Sequence, residues 1–289
     1  MLLVLEQLKE QQNFTQTEKR IADYILQDLS KIPVIYIEDL AKVTYTSHSA
    51  IIRLCKKIGF NGFRDFKIAI STIVHSQLHA PGQVDANFPF EENDSPMVIA
   101  KKMADLTVAT VKKTLVQLDD DLLNEIVETL SQAERVFLFA RGDSQIRARS
   151  FQNKLVKINQ FYILAEDYSD GYWNAANLTQ KDCALFISYS GIVPQYERIL
   201  QHFYNEKIPT ILLTGSNQSN LAKYASTTLV TIQEEYDFAK IGTFSSQVAF
   251  EYILDTLFSI LYAKEYRQNL LNLKEKQQLL QSGLLSDSQ

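Results

Sequence analysis

The sequence predicts two folded parts of different class: an all-α bundle, then an α/β part on a parallel five-stranded sheet with helices on both faces. Three observations carry this division. Up to residue 77 the apolar residues recur at helical spacing. Residues 76–97 then hold Pro81, Pro89 and Pro96, three of the six prolines, and proline continues neither a helix nor a sheet ladder. Beyond them, short apolar runs alternate with amphipathic helical patterns, which calls for parallel strands covered on both sides. The boundaries expected are 1–77, a linker at 78–97, 98–265, and a polar tail at 266–289 that starts as helix. A chain of 289 residues accommodates two such domains.

In the first part, Thr15-Gln16-Thr17-Glu18 is a capping box, opening a helix with Ile21, Ala22, Ile25 and Leu29 on its inner face. A short helix is expected at 37–43 and a turn at 44–46. Ser47 then caps a helix through Lys57, which Gly59 stops as a left-handed residue, and a last helix starts near Phe63. The pair 37–43 and 47–57 fits a helix-turn-helix, with Ala41 where the helices cross and Leu40, Ile51 and Leu54 in the joint. Tyr45 stands where many such turns carry glycine. The second helix turns His48, Ser49, Ile52, Arg53 and Lys56 away from its apolar side. In this motif, side chains at the helix start reach base edges in the major groove. Ser47, His48 and Ser49 are therefore the candidates for base contact, and Arg53, Lys56 and Lys57 for phosphate contact.

In the second part, helices at 97–117 and 120–132 precede strand 135–140. Helix 144–158, strand 161–165, a helical segment at 169–177 and strand 183–188 follow. Helix 194–206, strand 210–214, a weaker strand at 228–232 and a long helix at 243–264 complete the pattern. Gly142, Gly191 and Gly215 each follow a strand, so they line one sheet edge, the carboxyl edge, where open α/β sheets bind ligands. There, Ser188-Tyr189-Ser190-Gly191 puts two hydroxyls and a glycine before a helix, a combination suited to phosphate. Helix capping competes for Ser144 and Ser190, since serine is favoured before helices in any case.

Composition narrows the possibilities. Cys55 and Cys183 show no metal spacing and give no disulfide framework. No structural metal, cofactor, leader or membrane span is expected, and the cytoplasm is the expected compartment. The net charge of −5 hides an asymmetry. Residues 1–79 hold ten basic and eight acidic side chains, the remainder nineteen and twenty-six. Within 44–75 Arg53, Lys56, Lys57, Arg64 and Lys67 face Asp65 alone, which suggests a polyanion partner for that piece.

Two passages carry a resemblance. Phe14-Thr-x-x-Glu-x-x-Ile-Ala-x-Tyr-Ile-Leu and the run from Ile52 to Lys67, with Cys-Lys-Lys-Ile-Gly-Phe-x-Gly-Phe inside it, resemble the N-terminal domain of RpiR-type bacterial transcriptional regulators. The second half, with Ser-Tyr-Ser-Gly as signature, looks like their SIS (sugar isomerase) domain. The resemblance implies a regulator of carbohydrate metabolism that binds an operator in double-stranded DNA, senses a phosphorylated sugar, and works as a homodimer or homotetramer. It also implies ligand contacts from Gly142 and Ser144, from Ser188, Ser190 and Gly191, from Thr214 and Ser219, and from Ser245 or Ser246. The first loop reads Ala140-Arg-Gly-Asp-Ser, with alanine for the family's first glycine. Ile192-Val193 stands where that family has a hydroxyl.

Two other functions stay open on the sequence alone. A sugar-phosphate isomerase of this fold needs a positioned acid and base, for which Glu197, His202 and Glu251 are the candidates. An oligomerisation module that binds no ligand would also accommodate the altered loops.

Overall fold

The computed structural model describes residues 2–78, 84–166, 171–216, 218–236 and 239–282. The chain divides into two compact units, Met1–Thr107 with Glu234–Phe244, and Val108–Gln233 with Ser245–Gln289.

The first unit contains α1 (Leu2–Glu10), α2 (Gln16–Gln27), α3 (Ile37–Val43), α4 (His48–Lys57) and α5 (Phe63–Leu78). The capping box forms at α2: Thr15 Oγ1 accepts from the Glu18 N–H at 3.3 Å, and the Glu18 carboxylate accepts from the Thr15 N–H at 2.8 Å. Leu8, Ile21, Ile25, Leu40, Leu54 and Ile70 are buried in one core, each contributing roughly 1.5–3 kcal/mol by leaving water.

Helices α3 and α4 end in the same way. The Thr46 N–H reaches the Ala41 carbonyl at 2.8 Å and the Tyr45 N–H reaches Lys42 at 3.2 Å. At the end of α4 the Phe60 N–H reaches Cys55 at 2.9 Å and the Gly59 N–H reaches Lys56 at 3.1 Å. This double closure needs one left-handed residue. Gly59 supplies it at φ +93° and Tyr45 at φ +52°. Glycine adopts that conformation freely, whereas a tyrosine there costs about 1–2 kcal/mol.

Part of the stretch expected as a linker is folded. Asp85, Ala86 and Asn87 are buried. The Asn87 amide nitrogen donates to Asp85 Oδ1 at 3.0 Å and to the Glu234 carbonyl at 2.9 Å. Its Oδ1 accepts from the Tyr236 N–H at 2.6 Å, and its backbone carbonyl accepts from the Ile241 N–H at 2.9 Å. Residues 79–83 of the same stretch lie outside the described residues.

Helix α6 (Pro96–Gln117) begins in the first unit and ends in the second. The second unit continues with α7 (Asp120–Gln132), β1 (Val136–Ala140), α8 (Asp143–Leu155), β2 (Ile163–Leu164), α9 (Gly171–Ala176) and β3 (Cys183–Ile187). Then come α10 (Pro194–Glu206), β4 (Thr210–Thr214), β5 (Thr227–Val230), α11 (Ser245–Lys264) and α12 (Tyr266–Ser282). The five strands are parallel in the order β2-β1-β3-β4-β5. Alternate residues of each buried strand face opposite layers. Leu138, Leu185 and Leu213 pack with α7, α8 and α11, while Phe137, Phe139 and Phe186 pack with α9 and α10. The Phe139 and Phe186 rings stack with centroids 4.5 Å apart.

Several expected boundaries move. Strand β2 is only two residues long, paired through Phe137–Ile163 and Leu138–Leu164, because it is an edge with a partner on one side. The other edge, β5, starts at Thr227 and stops at Val230. Helix α8 starts at Asp143, with Gly142 and not Ser144 before it. The polar tail is helical as far as Ser282, and residues 283–289 lie outside the described residues.

Candidate functional site

In the first unit, α4 presents one exposed polar face. Ser47 is its N-cap, its hydroxyl accepting from the Ala50 N–H at 3.2 Å. His48, Ser49, Arg53 and Lys56 are exposed. Tyr45, in the turn before them, is 85% exposed. Lys57 departs from its expected role at a phosphate. Its ammonium donates to the Glu18 carboxylate at 2.7 Å and to the Asn13 carbonyl at 2.6 Å, and it lies over the Phe14 ring. Burial works to raise the Glu18 carboxyl, but the Lys57 hydrogen bond and charge and the Thr15 hydrogen bonds outweigh it and hold it below the ordinary value. Lys57 thus ties α4 to the start of α2.

In the second unit, strand order decides where a crevice can form. Connections run outward in opposite directions from β1 and β3, so the loops after these two strands part at the switch point of the sheet. The loop after β1 carries Arg141 and Gly142. Gly142 precedes α8 at φ +56°, no side chain caps the helix there, and a Cβ on it would meet nothing within 4 Å. The first amides of α8 are therefore without a side-chain cap, and a helix start in this state favours an anion. Ser144 lies in the first turn at 9% exposure. Since Gly142 is the cap residue, capping no longer competes for Ser144. Beside it opens a cleft of about 570 Å³ lined by Arg141, Gly142, Gln145, Glu166, Gly171, Tyr172 and Gln195.

The cleft contains a pair that sequence reasoning missed. Arg141 Nε donates to Glu166 at 2.8 Å, and its Nη2 lies 2.6 Å from the same carboxylate oxygen and also donates to Gln195 Oε1. The Tyr196 hydroxyl donates to the other oxygen of Glu166, and Arg141 lies 5.4 Å from the centroid of the Tyr196 ring. Glu166 is buried at its side chain while Arg141 is half exposed, so the cation is held with one side toward the cleft. Glu166 lies in the loop after β2 and Gln195 in the first turn of α10, and no local spacing relates them to Arg141.

The other expected ligand residues take two positions. The loops after β3 and β4 are fastened to each other. Ser219 Oγ donates to the Gly191 carbonyl at 3.0 Å and accepts from the Leu221 N–H at 3.1 Å. Thr214 Oγ1 donates to the Tyr189 carbonyl at 3.4 Å, and the Gly215 N–H donates to the same carbonyl at 2.9 Å. A Cβ on Gly191, at φ +66°, would lie 2.3 Å from Ser219 Oγ. Thr214 and Ser219, buried and bonded inside this joint, are spent on structure. So is Ser245, which is fully buried and shares a 2.9 Å hydrogen bond with Thr110; Ser246 beside it is buried too. Ser188, which is buried, and Ser190 follow β3, and neither they nor Ser144 line the cleft. Ser190 is half-buried, and its hydroxyl accepts from the Ile192 N–H at 3.3 Å. It therefore closes a local turn and does not cap α10, whose cap residue is Val193.

The isomerase candidates are placed elsewhere. Glu251 accepts from Arg147, Ser150 and Lys154 at 2.9–3.0 Å. Burial works to raise its carboxyl, yet the Lys154 and Ser150 hydrogen bonds and the neighbouring cations leave it below its ordinary value. Neither Glu197 nor His202 lines the cleft. Among the described residues no helix is long and apolar enough to cross a membrane.

Comparison with known proteins agrees with both units. Residues 2–77 match the model of the helix-turn-helix domain of the rpiR family, and residues 129–276 match that of the SIS domain. An uncharacterized HTH-type transcriptional regulator of Caldanaerobacter subterraneus subsp. tengcongensis is 29% identical over 268 residues, covering 93% of each chain. The Vibrio vulnificus NanR protein, solved in complex with ManNAc-6P, is 26% identical with a TM-score of 0.63, covering 96% of this chain and 97% of that one. The sugar isomerase domain of an RpiR transcription factor from Sphaerobacter thermophilus shares the fold, at 20% identity and a TM-score of 0.55 over 62% of this chain and 98% of that one. With a rpiR-family reading head at one end and a SIS domain over half its length, this chain belongs to the RpiR-type helix-turn-helix transcriptional regulators.

Proposed function

We propose that the chain regulates genes of carbohydrate metabolism by binding operator DNA through α4, and that a phosphorylated amino sugar in the cleft beside α8 controls that binding. The observation that carries the ligand reading is the start of α8. Amides without a side-chain cap at Gly142, a cation at Arg141 and a cleft large enough for a hexose phosphate adjoin one another at the switch point of the sheet. The likeness to NanR, solved with ManNAc-6P, supports a phosphosugar of that class. In this reading the phosphate meets the first turn of α8 at Gly142 and Ser144, and Ser188 and Ser190 approach from the loop after β3. Arg53 and Lys56 meet DNA phosphates, and Ser47, His48 and Ser49 face the groove.

The chain acts as a regulator and not as a catalyst. The cleft's carboxylate, Glu166, has both oxygens taken by Arg141 and Tyr196, and Glu251, bonded to Arg147, Ser150 and Lys154, does not line the cleft. Both leave a sugar without a free base. Leu115 and Val116 on α6 and Leu279 and Leu280 on α12 are exposed apolar side chains, which supports assembly with further copies of the chain. A two-fold dimer would read half-sites about 34 Å apart or a multiple of that. Its place is the cytoplasm, with the DNA.

The test is a panel of sugar phosphates that starts with ManNAc-6P and includes the unphosphorylated sugar. It is read by melting temperature and by binding of the full chain to duplexes selected from a random pool. At a hundred times the dissociation constant a ligand adds about 2.7 kcal/mol. Stabilisation by phosphorylated members only, together with altered DNA affinity, is the expected result. A panel that leaves both readouts unmoved defeats the sensor reading.

A further inference from the structure

We infer that Tyr45 is a DNA contact of this chain, its hydroxyl donating to a backbone phosphate at the rim of the major groove. The inference rests on the DNA-binding reading above and adds a residue that the helix positions alone do not provide.

Backbone and side chain point the same way. The end of α3 is closed by two backbone hydrogen bonds that require a left-handed residue at position 45. Glycine fits that position without strain, as Gly59 does in the matching closure of α4. Tyrosine is strained there. Strain of this kind persists where something else favours the residue. Packing does not favour it, because Tyr45 is 85% exposed, more than any other large apolar or aromatic side chain among the described residues. Its hydroxyl has no hydrogen-bond partner among them. What surrounds it is the reading face itself: Ser47 caps α4 two residues later, and His48 and Ser49 are exposed in the first turn.

The position selects the chemistry. Side chains of the first turn of a recognition helix enter the groove, while the turn before it passes the rim, where sugar and phosphate lie. A phenol there offers one neutral O–H donor and a flat ring for a sugar edge. Because it carries no charge, it releases no counterion. Its loss therefore lowers affinity without changing the dependence on salt, which separates it from Arg53 and Lys56.

The experiment measures binding of the full chain and of Y45G and Y45F to duplexes selected by the wild-type chain and to one random-sequence duplex, across a salt series, with melting temperature alongside. The expected result is about a tenfold loss for Y45G on both kinds of DNA, a smaller loss for Y45F, an unchanged salt slope, and a higher melting temperature for Y45G. Equal affinity of Y45G and wild type would overturn the inference. So would a loss confined to the selected sequence, which would make Tyr45 a base contact, or a lower melting temperature, which would make it a structural residue. A wild-type chain that bound no duplex at all would sink the DNA-binding reading as well.

Discussion

The loops after β1 and β3 leave neighbouring strands of one sheet edge, and each carries a glycine with positive φ, yet they are put to opposite uses. Gly191 is glycine because Ser219 fills the place of its side chain, and its loop is bolted to the next. Gly142 is glycine with nothing above it, in front of a helix that no side chain caps. Similar sequence signals, a glycine behind a buried strand with a serine within two residues, therefore mark a joint in one place and an open helix start in the other. What separates them is the chain packed across the glycine.

The largest effect that would break this contrast is on stability. Gly191→Ala should cost about 3 kcal/mol, from positive-φ strain together with the clash at Ser219, read by chemical denaturation. Gly142→Ala should cost about half as much, since only its backbone is strained, but should weaken the response to sugar phosphate about tenfold or more. If the two costs came out equal, or if Gly142→Ala kept the full ligand response, the contrast would be wrong. Ser190→Ala sharpens it further. A tenfold loss of ligand affinity corresponds to about 1.4 kcal/mol, while melting temperature without ligand should barely move.

A parallel contrast exists in the first unit between two adjacent lysines. Lys57→Ala should lose about 1 kcal/mol of stability, as a part-exposed pair with Glu18, and leave the salt dependence of DNA binding unchanged. Lys56→Ala should do the reverse, lowering the salt slope by about one unit at little cost in stability. The smallest effect is in pH. The Glu18 carboxyl is held below its ordinary value, so its contribution is complete above the ordinary carboxylate range and is lost as pH falls through the lowered value. Thermal unfolding between about pH 6 and pH 3 should show this loss in the wild type and a weaker dependence in Glu18→Gln.

The sequence made the elements legible because each rests on local rules. The capping box at Thr15, the stop at Gly59 and the buried runs in β1, β3 and β4 need only neighbours within a turn or a strand. Strand order was not legible, and with it the switch point that separates the loops of β1 and β3. Nor was the cleft's Arg141–Glu166–Gln195 cluster, whose members meet only once β1, β2 and β3 are side by side. Lys57 looked like Lys56 because charge counting is blind to a partner thirty-nine residues away. Tyr45 stood out as a departure from a glycine pattern, but its exposure and its left-handed backbone are properties of the folded chain.

The clasp at Asn87 bears on how the molecule is to be taken apart. Cutting before residue 98, as the proline pattern invites, would strand the carbonyl of Glu234 and the amides of Tyr236 and Ile241 without the side chain and backbone that satisfy them. A truncated effector domain made that way would begin life with a frayed loop between β5 and α11. Keeping residues from 84 onward preserves that seam and is the sounder starting point for crystallisation or titration of the half-molecule.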